Sequence, residues 1–262
     1  MGKPNIETIN FFSKSLKKEM AINIYIPPFY NSSKCSYPVL YFLHGRSGNE
    51  NIMFDLDIGN KVENLISAKK ISPLIIVCPR IENSRGINSS DNCKDIICKN
   101  NITIQVGMYE DYLIKEVIPF IDNNYNTIDI SSGRFIGGAS AGGYAALHNA
   151  FRHPNLFSKV GGHMPAIDLA LEDDDIPYFS DLSIWEKYNP ISIAQLNNIP
   201  KSLKVYLDVG AQDEGCFYKG CEVLNSILIK NGINTQYHLF EGHHNIEYIN
   251  SNMEKYLDFY AT

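Results

Sequence analysis

The residues of this chain best suited to chemistry stand at the ends of short apolar runs. Ser140 is the centre of Gly138-Ala139-Ser140-Ala141-Gly142-Gly143. A serine at a sharp strand-to-helix turn needs small neighbours, because bulkier ones would collide with the strand behind or the helix ahead. The serine oxygen then stands clear of the sheet. The first helical N–H groups, led by that of Ala141, face the point where negative charge develops during attack on a carbonyl. A bare Gly-x-Ser-x-Gly arises by chance in about one chain in ten of this length. Here the run Arg134-Phe135-Ile136-Gly137 before it and Ala145-Ala146-Leu147-His148 after it strengthen the reading of a nucleophile elbow. Two later loops offer partners. Gln212-Asp213-Glu214 follows an apolar run that itself carries Asp208, and Glu241-Gly242-His243-His244-Asn245 follows the next one. A neutral serine attacks poorly unless a base takes its proton, and a histidine in that role needs an acid to hold its tautomer. Serine, then acid, then histidine is the chain order expected of such an elbow.

The elements that must position these groups follow from periodicity. Residues 5–13 and 19–26 alternate around a polar turn and predict an antiparallel hairpin. Short apolar runs at 37–43, 72–79, 134–139, 156–163, 203–210 and 235–240 predict buried strands. Helical patterns separate them near 55–68, 109–121, 145–148, 217–230 and at the C-terminus. That alternation predicts an α/β fold, a mostly parallel sheet with an N-terminal antiparallel hairpin and helices on both faces. Ligands bind such sheets at the carboxyl ends of the strands, so His44-Gly45-Arg46-Ser47-Gly48, Ser140 and the later loops are expected to converge. His44 is read as shaping its loop. His44, His163, Met164 and Trp185 are candidates for lining a pocket, with simple packing as the alternative for His163 and Trp185. Residues 81–106 show no period and predict a long surface loop near the site, and residues 165–200 read as irregular. Glu110, Asp111 and Glu116 are read as the solvated face of their helix. Glu172-Asp173-Asp174-Asp175 lacks the ordered spacing of a calcium loop and is read as solvated surface.

Composition bounds the rest. With 262 residues, 44% hydrophobic and 20% charged, the chain fits one α/β domain over 1–262, and no repeat or linker divides it. A net charge of −6, with no basic stripe, argues against a nucleic-acid partner. No run is long enough for a membrane span. The N-terminus has no signal-peptide core and Ile6 spoils a myristoylation motif, so a cytoplasmic location is the default expectation, or secretion if a leader has been removed. Cys78 reads as a buried thiol. The spacings of Cys93/Cys98 and Cys216/Cys221 permit pairing without showing it. Sequons at Asn31, Asn88 and Asn101 are no more than chance supplies. Oligomeric state is not legible.

From about Tyr37 to the C-terminal helix, the chain resembles the esterase D or putative-esterase branch of the α/β-hydrolases. That branch includes feruloyl and acetylxylan esterases, S-formylglutathione hydrolases, enterochelin esterases and mycolyltransferases. The pieces that carry the resemblance are Tyr37–Gly45, Glu116-Val-Ile-Pro119, Gly138–Gly143, Asp208–Asp213 and Gly242-His-His244. The resemblance implies an α/β-hydrolase fold, Ser140 as nucleophile, Asp213 as triad acid and His244 as base. It implies oxyanion donors at the backbone N–H groups of Arg46 and Ala141. The family's Gly-x-His spacing favours His244 over His243, and Asp213 in the loop has the reach that Asp208 at the strand end lacks. Ala141 stands where the family often has Met, and Asn245-Ile246 where an aromatic often follows. Both departures concern pocket shape. The reaction so implied is ester hydrolysis through an acyl-enzyme, needing no metal or organic cofactor. Feruloyl or acetyl esters of plant polysaccharide are the leading expectation. An S-formylglutathione hydrolase or general short-acyl esterase is the alternative, followed by an acyltransferase or non-hydrolytic binding protein.

Overall fold

The computed structural model describes residues 3–98 and 101–262. Met1 and Gly2 of the expected unlipidated terminus, and residues 99 and 100 of the expected long loop, lie outside them.

The chain opens with a hairpin of β1 (Asn5–Ser13) and β2 (Lys18–Ile26), paired antiparallel from Asn5 opposite Ile26 to Ser13 opposite Lys18. Its turn closes with Lys17 in the left-handed region (φ 56°) and with the Leu16 N–H donating to Ser13 Oγ at 3.1 Å. Next come β3 (Val39–Leu43), helices α1 (Ile52–Asp55) and α2 (Ile58–Ser67), and β4 (Ile75–Pro79). Every residue of β3 and β4 is buried. That is why both read as unbroken apolar runs, since a central parallel strand is covered on both faces.

A small antiparallel hairpin follows, β5 (Lys94–Ile97) with β6 (Thr103–Val106). This corrects the expectation of an unstructured loop over 81–106. Ile104 and Val106 anchor the hairpin in the core, but four-residue strands are too short to display a period. Helices α3 (Tyr109–Asp111) and α4 (Ile118–Asn124) are joined end to end by a π-helical turn, Tyr112–Val117. Then come β7 (Arg134–Ala139), α5 (Ala141–Arg152) and β8 (Lys159–His163). The 165–200 region is a second correction. It folds into α6 (Ile176–Phe179), α7 (Leu182–Tyr188) and α8 (Pro190–Gln195). The start signals are local. Asp181 accepts the Ser183 and Ile184 N–H groups, and Asn189 accepts that of Ile191 with Pro190 opening the helix, which satisfies donors a short helix leaves free. The chain closes with β9 (Lys204–Gly210), α9 (Tyr218–Lys230), β10 (Asn234–Phe240) and α10 (Ile246–Ala261).

The eight main strands lie in the order β1-β2-β4-β3-β7-β8-β9-β10. β2 runs antiparallel to β1 and β4, and every pair from β4 to β10 is parallel. Separate apolar clusters cover the two faces, one built with α2 and α10, the other with α4, α5, α8 and α9. The strand order reverses about β3, which has β4 on one side and β7 on the other. A crevice therefore opens at the carboxyl ends of β3 and β7. None of the helices in the described residues is long and apolar enough to cross a membrane.

Two acids read as solvated are buried. Glu110 takes hydrogen bonds from His148 Nε2 (3.0 Å), His153 Nε2 (2.8 Å) and Arg152 Nε (3.1 Å). Burial pushes its carboxyl up, but these donors outweigh that and hold it well below the usual carboxylate range. Asp175 faces Arg85 at 2.6 Å. Both face inward because a cation from a distant segment meets them there, which composition and spacing do not disclose. Asp111 does pair at the surface with Lys115 (2.7 Å), and Glu116 accepts the Ser15 N–H. All six cysteines are free thiols, so neither close pair is bonded.

Candidate active site

The turn between β7 and α5 sets the site. Ser140 has φ 55° and ψ −117°, a strained conformation for a non-glycine residue. Its N–H donates to His163 O (2.9 Å), while its C=O accepts from Tyr144 (3.0 Å) and Ala166 (3.1 Å), so neighbouring segments hold the strain in place. The small residues are needed here. A Cβ on Gly138 would lie 2.6 Å from Leu43 O, and one on Gly142 would lie 2.3 Å from the same oxygen. α5 can thus start against the end of β3 only with glycine at both positions.

Asp213 sits in the turn after β9. Its N–H donates to Gly210 O (3.1 Å), and its Oδ1 accepts the Gly215 N–H (2.8 Å). Its other oxygen, Oδ2, lies 3.0 Å from His244 Nδ1, and His244 Nε2 lies 2.8 Å from Ser140 Oγ. The acceptor at Nδ1 assigns the proton there and leaves Nε2 free to accept from the serine hydroxyl. The histidine loop is fixed from both ends. Gly242 takes φ 142°, and the Asn245 side chain caps α10 by accepting the Tyr248 N–H at 2.9 Å. Glu214 adds a third tether, accepting from the His244 backbone N–H (3.2 Å) and lying 2.6 Å from His243 Nδ1. His243 is thereby turned to the rim and away from Ser140.

Asp208, the competing acid, is fully buried and already engaged. Its Oδ1 meets His163 Nδ1 (2.9 Å), and its Oδ2 accepts from Tyr248 (2.8 Å) and Tyr256 (2.7 Å). His163 also stacks on Tyr256 at 3.6 Å and bonds Tyr260 Oη at 3.0 Å. These contacts fasten α10 to the sheet. They also correct the reading of His163 as a pocket residue, since its ring points into the face that α10 covers. Trp185 is corrected likewise, because α7 turns it into the core and away from the cavity.

A cavity of about 450 Å³ opens over Ser140 and His244, with Arg46, Ala141, Met164 and Phe217 among its walls. The Phe217 ring lies 5.2 Å from that of His244. Among the described residues, no acceptor takes the Arg46 N–H, and Ala141 is the first residue of α5, whose N–H has no intrahelical partner. Arg46 and Ala141 line the same cavity as Ser140, and free backbone donors are what a developing oxyanion requires. His44 borders the cavity but is occupied. Its Nε2 accepts the Ile81 N–H (2.9 Å) and its Nδ1 lies 2.8 Å from Gly45 O. Burial pushes its pKa down to about 4, so it is neutral and acts as a brace for its loop. Periodicity gave no sign of Arg85, Phe217 or Ile249 as cavity residues, whereas Ile246 was expected to touch pocket shape and does line the cavity. Phe217 had one usable signal, its place just after the acid loop. Among the described residues, no group of three or more His, Cys, Asp or Glu side chains could hold a metal ion.

Comparison with known proteins adds an independent line. The family model described as putative esterase matches residues 13–259. The endo-1,4-beta-xylanase/feruloyl esterase of Xylanibacter ruminicola is 28% identical over 226 residues, covering 82% of this chain and 28% of that protein. The chain therefore spans little more than a quarter of that relative. A solved ferulic acid esterase superposes with a TM-score of 0.84 at 20% identity, over 99% of this chain and 98% of the other. An S-formylglutathione hydrolase from Agrobacterium tumefaciens does so with a TM-score of 0.78 at 19% identity, over 98% and 94%. At these identities the two superpositions show the fold, that of the α/β-hydrolase esterases.

Proposed function

The chain belongs to the putative esterase family, and on that premise we propose that it hydrolyses carboxylic esters through Ser140, His244 and Asp213. The observation that carries the proposal is the relay from Ser140 Oγ to His244 Nε2 (2.8 Å) and from His244 Nδ1 to Asp213 Oδ2 (3.0 Å). Ser140 Oγ attacks the ester carbonyl as Nε2 takes its proton. The tetrahedral oxyanion is met by the N–H groups of Arg46 and Ala141, each such donor stabilising the transition state by about 3 kcal/mol. His244 returns the proton to the leaving alcohol, leaving an acyl-serine. Water then attacks the acyl group with His244 again as base, and the serine is freed. Asp213 keeps the proton on Nδ1 and stabilises the imidazolium that forms.

Feruloyl or acetyl esters of plant polysaccharide are the proposed substrates, supported by the likeness to a xylanase/feruloyl esterase and to a ferulic acid esterase. The likeness to an S-formylglutathione hydrolase favours a second reading, a short-acyl thioesterase or esterase. Intact-mass spectrometry after fluorophosphonate treatment tests the chemistry. One adduct is expected on the wild type and none on Ser140→Ala, alongside turnover of p-nitrophenyl acetate by the wild type alone. An unlabelled, inactive wild type refutes the proposal. Methyl ferulate against S-formylglutathione as rival substrates separates the two readings.

A further inference from the structure

The Arg46 N–H, one of the two donors proposed for the oxyanion, belongs to a tight turn, Gly45-Arg46-Ser47-Gly48. The turn is closed by the Gly48 N–H donating to Gly45 O at 3.1 Å. Ser47, third in the turn, has φ 64°, whereas Arg46 is not among the positive-φ residues. That pairing marks a type II turn, whose third position favours glycine or asparagine. A serine there is better suited to type I, in which the peptide between Arg46 and Ser47 is reversed. Something outside the turn must hold the observed form.

Asn83 supplies that hold. Its Oδ1 accepts the Ser47 N–H at 2.6 Å, a donor that a reversed peptide would carry away. Asn83 is itself fixed at every other polar group. Nδ2 donates to Thr103 O (2.7 Å), and the backbone N–H donates to Gln105 Oε1 (3.0 Å). Its C=O accepts from the Gln105 N–H (3.1 Å) and from the Tyr178 hydroxyl (2.7 Å). An acceptor opposite an N–H and a donor opposite a C=O also settle which end of the carboxamide is which. The β5–β6 hairpin and α6 thus reach the oxyanion turn through one side chain, which does not itself line the cavity over Ser140. Resting on the catalytic reading above, we propose that Asn83 is a positioning residue, holding the turn in the form that presents the Arg46 N–H to the oxyanion.

The test is a double-mutant cycle in p-nitrophenyl acetate kinetics, with wild type, Asn83→Ala, Ser47→Gly and the double variant, each beside a thermal melt. Asn83→Ala should lower kcat about five- to tenfold, the scale of one hydrogen bond. KM should stay within about twofold, because an oxyanion donor acts in the transition state and not on the bound ester. In the Ser47→Gly background the same substitution should lower kcat by less than about twofold, since glycine takes a positive φ without strain. The rate of fluorophosphonate labelling, in which a phosphoryl oxygen occupies the place of the oxyanion, should fall and recover with kcat. Asn83→Ser, whose hydroxyl is too short to reach Ser47, repeats the cycle if the alanine variant melts below the assay temperature. A kcat within about twofold of wild type in folded Asn83→Ala overturns the assignment, and so does a change confined to KM. An equal loss in both Ser47 backgrounds also overturns it, leaving Asn83 as a support of the β5–β6 hairpin alone. If the wild type is labelled and active under any of those outcomes, only the role of Asn83 falls. If the wild type is neither, the catalytic reading falls and takes this one with it.

Discussion

Gly142→Ala adds one methyl group, and the structure states where it goes. The new Cβ would lie 2.3 Å from Leu43 O and 2.5 Å from His44 O, both backbone atoms, whereas real Cβ contacts essentially never fall below 3.0 Å. Either the β3 end or the start of α5 must therefore retreat by at least about 0.7 Å. Both choices harm the same function. Moving the β3 end displaces the His44–Gly45 backbone and with it the Arg46 N–H; moving α5 displaces the Ala141 N–H and Ser140 itself. Misplacing one oxyanion donor costs about 10²–10³ in kcat, and a misfit of this size in reacting geometry costs a similar amount. Overpacking also destabilises, by about 1–3 kcal/mol, or a few degrees up to about 10 °C in Tm for a chain of this length. The assay is p-nitrophenyl acetate kinetics on the folded variant, with Ser140→Ala as the floor and a thermal melt beside it. The expected result is a kcat lowered about a hundredfold with KM changed only a few-fold. A variant within threefold of wild-type kcat would refute the argument, because α5 could then begin against β3 without glycine.

The two aspartates near β9 should separate cleanly. Asp213→Asn is expected to lower kcat by about 10⁴ through loss of the Nδ1–H tautomer while leaving Tm within a few degrees. Asp208→Asn removes the charged acceptor shared by His163, Tyr248 and Tyr256. It should lower stability by about 3 kcal/mol, or Tm by about 6–12 °C, yet spare most of the kcat of the folded fraction. The reverse pattern would exchange their roles. His44 supplies a pH signature. Its folded pKa of about 4 lies below the unfolded value of 6.5, so the unfolded chain binds more protons between those limits. Stability then falls as pH drops through that window, by about 3 kcal/mol. His44→Gln, which keeps an acceptor for the Ile81 N–H, should flatten that fall in urea titrations between pH 7 and pH 4. A variant as acid-sensitive as the wild type would show that the charge uptake lies elsewhere.

Which parts of this molecule could be read from sequence depends on whether their cause is local or distant. The strands of the main sheet were legible because burial on both faces leaves an unbroken apolar run, as in β3 and β4. The elbow was legible because the close approach of α5 to the β3 end demands glycine at fixed offsets from Ser140. The acid and histidine loops announced themselves by following strands, and the reach of a loop position already favoured Asp213 over Asp208 at the strand end. Asp208 is spent on two tyrosines of α10, which begin forty residues later in the chain. The failures share one origin. Glu110 and Asp175 look like surface acids in any window of sequence, and they face inward because His148, Arg152 and His153 meet the first and Arg85 the second. His163 has the position of a pocket residue, yet strand alternation and the ring of Tyr256 assign it to the opposite face.

Arg85 extends this argument. It lies in a stretch without period, at φ 56°, and nothing in its neighbours announces a site. Its meaning comes from three segments converging on it: the loop after β8 through Ala166 and Asp168, the chain entering α6 through Asp175 and Tyr178, and α5 through Tyr144. Arg46 lies 3.9 Å from Asp174 and 4.0 Å from Asp175, so the two arginines of the cavity wall share one carboxylate, that of Asp175. Asp168, beside Arg85, is pushed up to about 6, chiefly by burial, with Asp175 and Glu172 adding to it and Arg85 opposing. A carboxyl raised in this way destabilises the fold when it ionises, because the folded state holds its proton to higher pH than the unfolded chain does. The loop after β8 is therefore more loosely held above pH 6 than below it, through an acid that balances Arg85. Catalytic machinery of this kind repeats across a fold because its demands are local, whereas the acyl pocket is set by contacts between distant segments. The substrate has to be sought in those contacts.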